Sequence, residues 1–325
     1  AQGVPFKETH YYGYSGEPPT DDGLVFSGSE RTKPFCDLAL PAPRGHVPAK
    51  THQAGPLLMQ QLCKAVEGSA AELRPNHRCT ALVQERDGRI VGVVAESFGE
   101  ERWLRARRGV VLTTGGFVLN DAMLKAHAPL ALECNIRVAA EGDDGSGIQL
   151  GLAAGADVLH MDAVSISLPA TDPWGLKRGL LVNAQGQRFI NEDTYQGRLG
   201  EWSLLHHGGR AWLIVDDEIF EKPYHPREVA AVGETPAELE QELGLPVGSL
   251  EATFALYNRH AENGEDPLFH KLPEYIKPLT KPPFGAFDCT TDNSIYAAFT
   301  LGGLRSDVDG RVLDPAGDPI PGLFG

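Results

Sequence analysis

The stretch Arg108-Gly109-Val110-Val111-Leu112-Thr113-Thr114-Gly115-Gly116-Phe117 places a strand, a turn and the approach to a helix in one short run. Val110-Val111-Leu112 is aliphatic and β-branched, which predicts a strand buried on both faces of a parallel sheet. Two threonines and two glycines end it, and Phe117-Val118-Leu119-Asn120 leads into a helical pattern. Glycine has no Cβ. A strand that stops at Gly-Gly therefore lets another group approach its backbone at the carboxyl end of a sheet, where α/β proteins bind ligands. The same residues also suit a tight turn with no ligand, and the stretch alone leaves both readings open.

Working outward, 325 residues give room for about two domains. Hydrophobic content of 42% with 22% charged residues is that of an ordinary globular chain. A formal net charge of -15 argues against a nucleic-acid partner, whose affinity comes from Lys and Arg on phosphates, and against an anionic membrane surface. No apolar run approaches the ~20 residues of a membrane span. The five cysteines are scattered and never paired as CxxC, so free thiols in a reducing, cytoplasmic compartment are expected. No HExxH, GxSxG or P-loop is present, and no metal site is expected.

Residues 1–55, with Tyr11-Tyr12-Gly13-Tyr14 and Gly16-Glu17-Pro18-Pro19, read as loop with short elements. There, Arg44 and His46 either touch a ligand or only fix a turn. A helix is predicted over 56–67, stopped by Gly68. Strands follow at 79–85, 89–95 and 102–106, with Arg86-Asp87-Gly88 as a hairpin turn. Beyond Gly116 come a short helix near 119–126 and another from Asp144 to Gly155, with Asp144 and Ser146 as cap candidates. Strands are expected at 180–183 and 211–215. Thr235-Pro236-Ala237-Glu238 reads as a capping box, and a helix near 250–262 puts Leu250, Phe254 and Tyr257 on one face. A hairpin is expected over 307–314.

Several of these segments together resemble the FAD-dependent oxidoreductases that group fumarate reductase flavoproteins with 3-ketosteroid dehydrogenases. The resemblance rests on 108–117, on Asp144-Gly145 followed by Gly155-Ala156-Asp157, and on Leu181-Val182-Asn183 followed by Arg188-Phe189-Ile190-Asn191-Glu192. It extends to Thr300-Leu301-Gly302-Gly303-Leu304 and to Ile320-Pro321-Gly322-Leu323-Phe324-Gly325. The implied fold is α/β: a partial glutathione-reductase-type FAD-binding domain with an inserted α+β capping, or substrate, domain. Its parts would be 1–125 for FAD binding, 126–284 for the cap and 285–325 for the return to the FAD domain. No GxGxxG occurs, so the resemblance implies that the first βαβ unit is missing and that the sequence is trimmed at both ends. The implied cofactor is FAD, held by Thr113, Thr114, Gly115, Gly116, Asp144, Gly302 and Gly303. For Asp144, helix capping is an equal alternative.

The activity implied is an FAD-dependent dehydrogenase that introduces a carbon–carbon double bond next to a ketone. Its substrate would be a 3-ketosteroid or similar hydrophobic molecule, with an unidentified electron acceptor. The members it resembles most are the 3-ketosteroid Δ4-(5α)-dehydrogenases. Their tyrosine before the TLGG stretch corresponds to Tyr296, and Tyr195 follows the Asn191-Glu192 pair. These two are the candidate catalytic residues, with Arg198 as a group that lowers a tyrosine pKa or forms a surface salt bridge. Gln196 lies where fumarate reductases carry an arginine, and Ala298 stands where the steroid enzymes carry a serine. Alternatives kept open are a fumarate-reductase-like ene-reductase, a flavin-free binding domain, and two tyrosines that merely pack with their hydroxyls bonded to backbone.

Overall fold

The computed structural model describes residues 3–9, 23–26, 28–49, 54–225 and 227–325. Tyr11-Tyr12-Gly13-Tyr14 and Gly16-Glu17-Pro18-Pro19 lie outside them. The chain is mixed α/β and groups into two compact units, 1–71 with 167–296 and 72–166 with 297–325. These units group residues 126–166 with strands on either side of them in sequence, whereas the sequence-based division keeps 126–284 together.

The unit of 72–166 and 297–325 contains the meander anticipated from the Asp87-Gly88 turn. Arg78–Gln84, Ile90–Ser97 and Glu100–Arg105 pair antiparallel in that order. The organising strand, Val110–Val111, pairs parallel with Pro319–Phe324 through Leu323↔Val110 and Phe324↔Val111. It is the edge of a three-stranded sheet, and Val111 is 63% exposed. The expectation of a strand buried on both faces is therefore corrected: Val110 is only half-buried and Val111 is exposed. Ile90, Ala156, Val312, Ile320 and Leu323 form the core beneath it. Helices Asp121–His127 and Ser146–Ala153 follow, close to their expected places.

The unit of 1–71 and 167–296 is built on a four-stranded antiparallel sheet. Its order is Leu180–Asn183, Ala211–Asp216, Phe284–Asp288, Val229–Gly233. Every residue of Leu180–Asn183 and Ala211–Asp216 is buried, as their apolar runs require. The helices Pro236–Leu243 and Ser249–Ala261 belong to this unit, and Leu250, Phe254 and Tyr257 are buried on the second. Thr235 Oγ1 accepts from Glu238 N at 3.2 Å, so the N-cap is as expected. The return arm of the capping box differs, because the Glu238 carboxylate accepts from Glu234 N at 2.7 Å, one residue before the cap. The helix Ala54–Glu67 leaves Leu58, Met59 and Leu62 substantially exposed.

Candidate functional site

The glycines expected to admit a cofactor divide into two kinds. Gly115 has φ +75°, a conformation that disfavours side chains, and a Cβ there would lie 1.7 Å from Asp143 Oδ1. A Cβ on Gly116 would lie 2.4 Å from Thr300 Oγ1. These two glycines thus let Asp143 and Thr300 reach the strand end. Asp143 Oδ1 accepts from Gly116 N at 3.2 Å, and Thr300 Oγ1 accepts from Phe117 N at 3.1 Å. The Gly115-Gly116 turn and Thr300 are in this way brought together. Gly302 is buried, with its Cβ position 2.3 Å from the carbonyl oxygen of His160. Gly303, opposite Leu159 in a two-residue antiparallel pair, meets nothing within 4 Å.

The chain leaves residues uncovered at one end of this strand. Thr113, Thr114 and Gly115 are exposed at the carboxyl end of Val110–Val111, and the Cβ side of Gly303 is open. The threonine at 114 also closes onto the helix Ser146–Ala153, since a Cβ on Gly147 would meet Thr114 Oγ1 at 1.9 Å. Asp144 Oδ1 accepts from Ser146 N at 2.9 Å, and its Oδ2 accepts from Arg78 Nη2 at 3.2 Å. The hydrogen bond from Ser146 holds the Asp144 carboxyl below the ordinary range, with Arg78 adding to the effect. Asp144 lies one residue before the N-cap, Gly145, and its carboxylate accepts from Ser146 N, the first residue of the helix. The uncovered strand end fits an extended ligand such as FAD; Gly116 and Gly302 are occupied by internal packing.

Tyr296 belongs to the other unit and is 0% exposed. Its hydroxyl donates to the Cys289 carbonyl at 2.9 Å and lies 2.8 Å from Ser203 Oγ. The phenolic hydrogen is committed to Cys289, so Ser203 is the donor in the second bond. Tyr195 caps the helix Gln196–His207, is half-buried, and its N–H donates to Ser29 Oγ at 3.1 Å. Arg198 forms no surface salt bridge among the described residues: its guanidinium lies over Phe35 at 5.1 Å and Trp202 at 5.6 Å. Burial pulls its pKa down, partly offset by Glu201. Ala298 is fully buried, and its carbonyl accepts from Val138 N. His46 Nδ1 bonds to the Arg44 carbonyl at 3.0 Å, the turn-fixing alternative for that pair.

The Arg188-to-Glu192 signature forms a buried ionic network. Arg188 binds Glu192 through Nε and Nη2 at 2.9 and 2.8 Å, and Asp266 through Nη1 and Nη2 at 2.9 Å each. Lys271 Nζ lies 3.0 Å from Glu192 Oε2 and donates to the Gly179 carbonyl at 2.7 Å. Burial penalises the Glu192 charge, but Arg188 and Lys271 together hold its carboxyl below the ordinary range. Asp193 next to it goes the other way, because burial pushes it up. Its Oδ2 accepts from Leu272 N at 2.7 Å while Oδ1 has no partner. Asp143, Thr300, Ser203, Asp266 and Lys271 were not singled out from sequence. The one available signal was the adjacency of Asp143 to Asp144 before Gly145; the others are distant in sequence from what they contact.

The sequence profile of a family described as FAD binding domain matches residues 16–325. A crystal structure of 3-ketosteroid-Δ4-(5α)-dehydrogenase from Rhodococcus jostii RHA1, in complex with 4-androstene-3,17-dione, is 42% identical, with a TM-score of 0.92 over 99% of this chain and 68% of its own. The 3-oxo-5-alpha-steroid 4-dehydrogenase of Comamonas testosteroni is 26% identical over 99% of this chain and 73% of its own length. NADH:acrylate oxidoreductase of Vibrio harveyi is 29% identical over 86% of this chain, which spans only 29% of that relative. No helix among the described residues is long and apolar enough to cross a membrane.

Proposed function

The chain belongs to the FAD binding domain family, and from that premise we propose that it is an FAD-dependent dehydrogenase introducing a carbon–carbon double bond next to the ketone of a 3-ketosteroid or similar hydrophobic substrate. The observation that carries this reading is the 42% identity, sustained over 99% of the chain, to a dehydrogenase solved with a 3-ketosteroid. The finer architecture is part of the same proposal: a glutathione-reductase-type FAD domain from 1–125 and 285–325, with a cap from 126–284. So is a cytoplasmic location, which the free state of all five cysteines supports.

Desaturation breaks two neighbouring C–H bonds, one as hydride and one as proton. FAD, when bound, would supply the acceptor for the single hydride and its two electrons. Thr113, Thr114, Gly115 and the open side of Gly303 would hold it, with Gly116 and Gly302 shaping the turns and Asp144 fixing the adjacent helix start. Tyr296 is the group assigned to take the acidic proton alpha to the ketone, a role its fully buried hydroxyl fills only after it leaves the Cys289 carbonyl and opens to substrate. A phenol has an ordinary pKa of about 10, so Tyr296 must first lose the proton it donates to Cys289. Ser203 Oγ, 2.8 Å away and donating to Tyr296, would stabilise the resulting phenolate. Tyr195 is assigned to relay the phenolic proton, which requires its hydroxyl to lie within about 3.2 Å of that of Tyr296 or to share a water with it.

The test is Tyr296→Phe and Tyr195→Phe in FAD-loaded protein, measuring turnover of a saturated 3-ketosteroid and flavin content together. Each change keeps the ring and removes the hydroxyl. Catalysis through the hydroxyls predicts a fall of roughly 10²-fold or more in turnover with flavin content unchanged. Near-normal turnover in both variants would reduce the pair to packing.

A further inference from the structure

A cleft of about 520 Å³ lies within the unit of 1–71 and 167–296, and it is lined by neither Tyr296 nor Tyr195 nor any residue assigned above to FAD. Arg198 and Trp202, four residues apart on the helix Gln196–His207, share the face that forms one wall. Residues 189–191 and 268–270 form others, and Lys33 with Asp37 stands at the rim. Two of its lining residues carry nitrogens with no hydrogen-bond partner, Arg198 Nη1 and Asn191 Nδ2. Asn191 is only 4% exposed, so this shielded donor also lacks solvent.

Both nitrogens are donors, so the missing partner is an acceptor. The charged and titratable lining groups are Arg198, Lys33, Asp37 and His270, and Asp37 is already engaged by Lys33. Glu201 acts on Arg198 only at longer range. The balance left is positive, in a chain whose net charge is -15. Trp202, Phe189 and Phe269 supply flat apolar walls beside it. Two walls are also held rigidly, because Arg188 precedes 189–191 and Lys271 follows 268–270 in the buried ionic network. His270 adopts φ +55°, an unusual backbone for a non-glycine residue at such a wall.

We propose that this cleft is a second ligand site, which takes a carboxylate carried on a planar ring. The carboxylate accepts from Arg198 and Asn191 after a small side-chain adjustment, and the ring packs among Trp202, Phe189 and Phe269. The site works independently of the flavin reading, and its test does not require turnover.

The probe is 1-naphthoate, titrated calorimetrically into FAD-loaded protein, with the uncharged 1-naphthalenemethanol as control. The expected result is saturable naphthoate binding, at least about tenfold tighter than the alcohol and weakened about tenfold by Arg198→Gln. Lys33→Gln, at the exposed rim, is expected to weaken it by a smaller factor of about two to five, and keeps the test decisive if Arg198→Gln fails to fold. Saturating 4-androstene-3,17-dione leaves the naphthoate affinity unchanged. Equal binding of acid and alcohol, no effect of either substitution, or displacement by the steroid would each overturn the second site.

Discussion

Gly302 and Gly303 are adjacent and indistinguishable by residue type, yet they answer to different constraints. A methyl on Gly302 meets the His160 backbone at 2.3 Å, and backbone cannot move aside as a flexible side chain can. A methyl on Gly303 meets nothing within 4 Å. Gly302→Ala is therefore expected to lower unfolding stability by about 1–3 kcal/mol in urea titration. Gly303→Ala is expected to stay within about 0.5 kcal/mol, and any defect it has should appear as lost FAD retention. Equal stability losses in the two variants would remove the distinction. The glycine turns were legible in sequence because Gly-Gly is a local signal. Asp143 and Thr300 were not, since Thr300 reaches Phe117 N only through the fold.

The ionic network ties Leu180–Asn183, the segment from Arg188 to Asp193 and the loop from Asp266 to Leu272 together. Leu181 N donates to Glu192 Oε1 at 2.9 Å, and Leu272 N donates to Asp193. Arg188→Met would strand Glu192 and Asp266 without their main partner, and a loss of about 3–5 kcal/mol is expected in denaturant titration. Glu192 and Asp266 have folded pKa values held below the ordinary range, by Arg188 and Lys271 against burial. Their stabilisation is complete above the unfolded carboxylate range, about 4, and is lost as pH falls through the folded values. Asp193, raised by burial, contributes in the opposite sense: its stabilisation holds below that range and is lost as pH rises through its folded value. Asp193→Asn should thus flatten the Asp193 contribution, raising the denaturation midpoint at neutral pH relative to wild type. A midpoint that falls at neutral pH would mean the carboxylate is needed ionised.

Elements with a local signature were legible as such. The turn at Asp87-Gly88, the Thr235 cap and the apolar face of Ser249–Ala261 all landed where their patterns put them. The strand Pro319–Phe324 escaped notice because Pro319 and Pro321 lack the N–H a ladder uses. It pairs nonetheless, parallel to Val110–Val111. Sequence also gave no sign that the signature Arg188 and Glu192 would be buried beside Asp266 and Lys271, which lie far along the chain.

At the scale of the molecule, the proposed cofactor residues and Tyr296 belong to separate compact units, each assembled from two distant parts of the chain. The resemblance anticipated an interrupted order, but its boundaries came from motif positions, whereas compact units reflect which residues share a core. The central claim is desaturation of a 3-ketosteroid with FAD as hydride acceptor. The measurement that tests it most directly is anaerobic mixing of FAD-loaded protein with the saturated 5α form of 4-androstene-3,17-dione, following the visible flavin absorbance and the steroid product. The account predicts bleaching of the flavin band with one carbon–carbon double bond formed beside the ketone per flavin reduced, and loss of both signals in Tyr296→Phe. A flavin that stays oxidised with the steroid, while its reduced form is reoxidised by fumarate or acrylate, would contradict it.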